Sequence, residues 1–235
     1  DVAVTNVDDD VAGISVTPSS GLVTSEGGGS ATFTIRLQSQ PTFDVTIPVQ
    51  SSDLAEGTVS PASLTFTAAD WAVEQVVTVT GVDDAVADGP QVYTVITGPA
   101  SSSDPVYSGQ DAVDVSATNA DDDVPGIVVA PTSGLLTSEA GGAATFSVVL
   151  SSQPTADVTI DVSSLTTTEV TVSPASLTFN ASTWSIPQIV VVTGVNDFVM
   201  DGDVLPTIAT AAAGSTGSGS PGGDTAAGKG TNRDD

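Results

Sequence analysis

The chain of 235 residues contains no cysteine and no histidine. Without cysteine it forms neither a disulfide nor a thiolate metal site. Without histidine it lacks the commonest general base and the usual zinc ligand. Basic residues are almost absent: Arg36, Lys229 and Arg233 stand against 29 acidic side chains, for a net charge of −26. That balance argues against nucleic acid and anionic membrane as partners, and in favour of cations. No nucleophile–base pair is available, since Ser–Lys chemistry would rest on Lys229 in a glycine-rich tail. Paired carboxylates can imitate a glycosidase, but here they are too many and too regularly repeated, and at 4% aromatics the sequence suggests no aromatic-lined cleft. The chain is therefore not expected to be an enzyme. No apolar run is long enough to insert across a bilayer. The sequence opens on Asp1 rather than Met, with no signal peptide, and so reads as a mature product or a fragment.

What is abundant is Val, Thr, Ser and Gly, a β composition with many turns. A halophile's surface would also be acid-rich and lysine-poor, but its carboxylates would cover every exposed face. Here the strand segments carry Thr, Ser and Gln, and the acids sit mostly between them. Asn6-Val7-Asp8-Asp9-Asp10 recurs as Asn119-Ala120-Asp121-Asp122-Asp123 and, altered, as Asn232-Arg233-Asp234-Asp235, at a constant offset of 113 residues. Aligned at that offset without a gap, NVDDDVAGISVTPSSGLVTSEGGGSATFTIRL (6–37) matches NADDDVPGIVVAPTSGLLTSEAGGAATFSVVL (119–150), and TVSPASLTF (58–66) recurs at 171–179. One β-domain fits each interval. The expected division is the end of a preceding repeat or linker strand at 1–10, a first sandwich at 11–123, and a second at 124–235 with a degenerate Gly/Ser-rich C-terminal part. The array is expected to continue beyond both ends.

Alternation and turn residues predict seven short strands per unit. In the first unit these are 14–25, broken near Pro18-Ser19-Ser20-Gly21 by a bulge or a change of sheet, then 31–38, 44–49, 58–66, 75–82, 92–97 and 112–117. Seven strands at this spacing predict a Greek-key sandwich. Trp71 and Trp184 are expected as core or edge plugs. Pro206 and the Gly/Ser/Ala run after it weaken the last two strands of the second unit.

In an up-and-down count, the first, third, fifth and seventh strands finish at the same end. The turns after them hold Glu26; Asp53 and Glu56; Asp83, Asp84 and Asp88; and Asp121, Asp122 and Asp123. No basic residue lies in those turns. Two carboxylates about 5 Å apart repel by roughly 0.8 kcal/mol even in water, so such a gathering must spread, take up protons or bind a cation. All-oxygen ligands on separate flexible loops suit Ca2+, while Mg2+ demands a tighter octahedron. The spacing is not that of an EF-hand. The bland alternative is a solvated acidic linker. The second unit offers Glu139, Glu169, Asn196, Asp197, Asp201, Asp234 and Asp235. Asn196 replaces the charge of Asp83, Thr166 stands at the position of Asp53, and Arg233 sits beside a shortened acidic end. Its site is expected to be the weaker.

The order SE-G-G before the second strand, V-D-D after the fifth, D-G in the following loop and a terminal D-D-D resembles Calx-β domains. The repeat texture is most similar to the arrays of giant bacterial extracellular and surface proteins. The resemblance covers the first unit and the second to about Thr207. It implies an all-β fold of two tandem Ig-like, Calx-β-like Greek-key β-sandwiches arranged as a rod, and a calcium role for Glu26, Asp83, Asp84, Asp121, Asp122 and Asp123. The family's usual segment between the third and fourth strands is absent, which leaves Glu56 the weaker match. The resulting expectation is a calcium-stiffened spacer of an extracellular, cell-surface adhesin or filament, with ions at inter-domain junctions. Its partners would be neighbouring repeats and like subunits of a fibre. The alternatives are a calcium-dependent glycan- or partner-binding module and a calcium sensor.

Overall fold

The computed structural model describes residues 1–200, 202–215 and 228–233. All regular elements among them are β-strands. The chain divides into two compact units, Asp1–Asp84 with Gly89–Asp122, and Ala85–Asp88 with Asp123–Asp235. Residues 1–10 form no strand and are exposed.

The first unit contains β1 (Ile14–Thr17), β2 (Leu22–Ser25), β3 (Ser30–Leu37), β4 (Val45–Ser51), β5 (Gly57–Ser60), β6 (Ser63–Phe66), β7 (Gln75–Gly81), β8 (Gln91–Thr97), β9 (Ser101–Ser102) and β10 (Val115–Ala120). One sheet has the order β1-β3-β7-β5; the other has β2-β10-β8-β4-β6, with β9 on β4. Period-two alternation builds the core. Phe33, Ile35 and Leu37 of β3, Val45, Ile47 and Val49 of β4, and Val77 and Val79 of β7 are all buried. Between them lie half-buried or exposed Thr32, Thr34, Arg36, Thr46 and Thr78. Trp71 packs against the rim of this core.

The expected break near Pro18 is a change of sheet: β1 pairs with β3, whereas β2 pairs in parallel with β10. Gly21, at φ +77°, supplies the left-handed step of that passage. The strand expected at 58–66 is in fact two strands. β5 pairs with β7, and β6 pairs with β4 in the other sheet, with Pro61 between them. A proline there removes a ladder donor and ends the pairing. The last strand lies later than expected, at Val115–Ala120 rather than 112–117, so it runs directly into Asp121-Asp122-Asp123.

The second unit repeats the plan with β11 (Ile127–Ala130), β12 (Leu135–Ser138), β13 (Ala143–Leu150), β14 (Val158–Ser164), β15 (Val170–Ser173), β16 (Ser176–Phe179), β17 (Gln188–Gly194), β18 (Thr207–Thr210) and β19 (Gly228–Arg233). Its sheets are β11-β13-β17-β15 and β12-β19-β18-β14-β16. The weakened segments do form strands, but β18 is short and meets β19 over two residue pairs, Thr207–Lys229 and Ile208–Gly228. Trp184 packs against the core as Trp71 does.

Candidate metal centre

The four turns expected at one pole of the first unit do meet there. Glu26 follows β2, and its N–H donates to the Ala120 carbonyl at 3.0 Å, which ties that turn to the end of β10. The Val82 N–H donates to the Glu56 carbonyl at 3.1 Å, which ties the turn after β7 to the one before β5. The Gly89 N–H donates to Asp121 Oδ2 at 2.6 Å, closing the far end of the loop after β7 onto the acidic triplet. Carboxylate oxygens of Glu26, Asp83 and Asp122 lie within 4.8 Å of one another.

Glu26 is the buried member of that group, at 3% exposure. Its Oε2 accepts the Asp122 N–H at 3.4 Å. Its pKa is pushed up from 4.5 to about 7. Burial is the main cause; the Asp122 N–H opposes it, while the charges of Asp121 and Asp84 and a hydrogen bond shared with Asp121 add to it. At the opposite pole two acids behave in the reverse way. Asp104 accepts the Thr42 N–H at 2.7 Å, the Thr42 hydroxyl at 2.9 Å and the Val106 N–H at 2.9 Å. Those donors hold it below the usual carboxylate range. Asp70 is likewise lowered by the N–H and hydroxyl of Thr67. Asp104 and Asp70 are satisfied by amide and hydroxyl donors, whereas Glu26 sits among other carboxylates.

Three oxygens within 4.8 Å can share one calcium ion. Calcium accepts six to eight oxygens at about 2.3–2.6 Å in a flexible arrangement, whereas magnesium demands a near-ideal octahedron at about 2.1 Å and keeps several of its waters. The donors are all oxygen, which fits a hard cation.

No family model matches the chain, and no curated protein matches it either. Solved structures of similar fold include CBD12 from CALX1.2, 12% identical over 85% of this chain and 80% of that one, with a TM-score of 0.37. The calcium binding domain CBD12 of CALX1.1 is 13% identical over 85% and 80%, with a TM-score of 0.38. The Escherichia coli chaperone DraB is 10% identical over 93% and 98%, with a TM-score of 0.34. The chain is a pair of all-β, Ig-like sandwiches, and that assignment rests on the strand pairing described above.

Not every expected ligand joins the cluster. Asp84 and Asp88 are exposed; Asp84 acts on Glu26 through its charge. Asp53 turns away, its Oδ1 accepting the Ala55 N–H at 2.9 Å within its own turn. Glu56 is half-buried and faces Asn119, whose Nδ2 donates to its Oε2 at 3.4 Å. In the second unit Glu139 and Glu169 are buried at 7% and 5% exposure. Asn196 Oδ1 accepts the Phe198 N–H and Asp197 Oδ1 the Val199 N–H, each at 2.9 Å, within their own loop. Asp201, Asp234 and Asp235 lie outside the described residues. Among the described residues, the three-acid grouping occurs around Glu26 and not around Glu139 or Glu169.

Beneath the first cluster lies a polar layer that the spacing argument did not single out. Asn119, Thr24 and Tyr93 are buried at 1%, 2% and 3% exposure. The signal for it was the asparagine two positions before each of the three acidic runs that recur at the 113-residue offset, at Asn6, Asn119 and Asn232.

Proposed function

We propose that this chain is a pair of calcium-binding β-sandwich repeats that serve as structural spacers of an extracellular surface adhesin or filament. The observation that carries the calcium reading is the meeting of Glu26, Asp83 and Asp122, from three separate turns, with oxygens within 4.8 Å. Like charges so close need a counter-ion or a proton, and the three turns hold no lysine or arginine. The constant 113-residue offset supports the spacer reading, since tandem repeats of one unit build extended arrays. An extracellular setting suits such loop sites, whose dissociation constants run at about 0.1–1 mM. In the intact protein, neighbouring repeats and like subunits would be the partners, with ions at the connections between units.

The test is titration calorimetry of the whole chain with calcium. The unaltered chain is expected to take up calcium, and Asp83→Asn combined with Asp122→Asn to lose at least one site. Both side chains are exposed and lie outside the strands, so the sandwich should persist. Unchanged stoichiometry and affinity in the double variant would exclude these acids as ligands. The same exposure favours a second reading, in which an ion with open positions recognises a glycan. Calcium-dependent retention on immobilised glycans would favour that reading over the spacer.

A further inference from the structure

The floor of the acidic cluster is a continuous chain of hydrogen bonds. The Tyr93 hydroxyl lies 3.1 Å from Thr24 Oγ1. Thr24 Oγ1 donates to Asn119 Oδ1 at 3.0 Å. Asn119 Nδ2 donates to the Val82 carbonyl at 2.9 Å and towards Glu56 Oε2 at 3.4 Å. Because Thr24 has one proton and gives it to Asn119, Tyr93 is the donor in the first bond. One orientation therefore satisfies the whole chain.

The partners of Asn119 are not scattered. Thr24 lies two residues before Glu26, Val82 immediately before Asp83, and Asn119 itself three residues before Asp122. Each turn that supplies an oxygen to the Glu26 group is thus pinned to one amide within three residues of its acid. The backbone is fitted closely around this amide. A Cβ on Gly81 would run into Asn119 Oδ1 and the Ser25 carbonyl, and a Cβ on Gly57 would run into the Tyr93 ring. The second unit keeps Thr137, Gly194 and Asn232 at the positions of Thr24, Gly81 and Asn119, but Val170 stands at the position of Gly57 and Pro206 at that of Tyr93.

We propose that Asn119 is a positioning residue for the cation site: it touches no ion, but its amide holds the turns of Glu26, Asp83 and Asp122 in register against their mutual repulsion. This rests on the calcium reading above. Pre-set loops leave an ion less ordering to do, and partners behind a ligand shell commonly govern affinity by about 10- to 100-fold.

The test compares the full chain with its Asn119→Ala and Thr24→Val variants by calcium titration calorimetry, with folding checked by thermal unfolding in chelator. Asn119→Ala is expected to weaken calcium binding by about tenfold or more while leaving the number of ions unchanged. Thr24→Val, nearly isosteric and one bond further out, is expected to weaken it in the same direction by less. The double variant should lose less than the two separate effects combined, because both break one chain. Lost stability with unchanged affinity in both folded variants would reduce Asn119 to a core residue and overturn the proposal. A change in ion number would make it a ligand and overturn it equally. If Asn119→Ala does not fold, Thr24→Val decides: an unchanged affinity there overturns the proposal. If the unaltered chain takes up no calcium, the calcium reading itself fails and this proposal falls with it.

Discussion

Glu26 and Asp104 are both almost fully buried carboxylates, and they respond to pH in opposite senses. Glu26 has a folded pKa of about 7 against an ordinary 4.5, so between those values the folded chain keeps a proton that the unfolded chain has released. Its contribution to stability is complete below about pH 4.5 and is lost as pH rises through about 7. Asp104 is held below its ordinary 3.8, so its contribution is present above that value and is lost as pH falls through the lower folded one. The calcium-free chain should therefore be most stable in mildly acidic solution and weaken towards about pH 8. Calcium should abolish the alkaline decline, because the ion takes the place of the proton. Thermal unfolding across this range, with and without calcium, measures both effects. Glu26→Gln copies the protonated side chain; it should flatten the decline without calcium and blunt the response to it. A calcium-free chain equally stable at about pH 5 and about pH 8 would mean that Glu26 does not hold a proton.

Among the elements, what could be read from the sequence follows from side-chain parity. β3, β4 and β7 alternate cleanly, and their inward residues are those the pattern marks. Parity also explains the strand misread at 58–66. Val59 and Leu64 both pack inward, yet they are an odd number of positions apart, so one continuous strand would send them to opposite faces. Pro61 was the visible sign of the break. The late end of β10 was hidden for another reason. Thr118 and Asn119 look like turn residues, and only tertiary partners make an inward asparagine acceptable in a strand. The loops that carry the acids could be assigned to one end from strand order alone. Which acids face one another could not, because loop side chains have no period. Glu56 and Asp53 reach the right pole yet bond to Asn119 and to their own turn. The fit of β5 against β8 can be tested directly. Gly57→Ala places a methyl group on the Tyr93 ring and should cost about 1–3 kcal/mol. Gly57→Ala in a Tyr93→Leu background should cost clearly less, since the ring it strikes is gone. Equal costs in the two backgrounds, by denaturant unfolding, would show that the contact is not what keeps glycine there.

At the scale of the molecule, the two units share a strand plan but differ in the residues at their acidic turns, and calcium should separate them thermally. The net charge of −26 favours any cation weakly through general screening, so the comparison belongs at fixed ionic strength. At ten times its dissociation constant, one ion bound only by the folded state adds about 1.4 kcal/mol. For a unit of this size that corresponds to a rise of roughly 4–6 °C. The rise should be concentrated in the first unit, where Glu26, Asp83 and Asp122 meet. The second should respond less, because Asn196 carries no charge and both it and Asp197 already accept amide protons in their own loop. Differential scanning calorimetry of the chain in calcium, in magnesium and in chelator resolves the three cases. Two transitions are expected, with the one that Asp83→Asn abolishes as a calcium-sensitive step belonging to the first unit. Magnesium should move it less, because it demands a near-ideal octahedron and gives up its waters reluctantly. Coincident melts in calcium and chelator would return the acidic triplets to the status of solvated linkers. Equal shifts of both transitions would show that the ion does not depend on the geometry around Glu26.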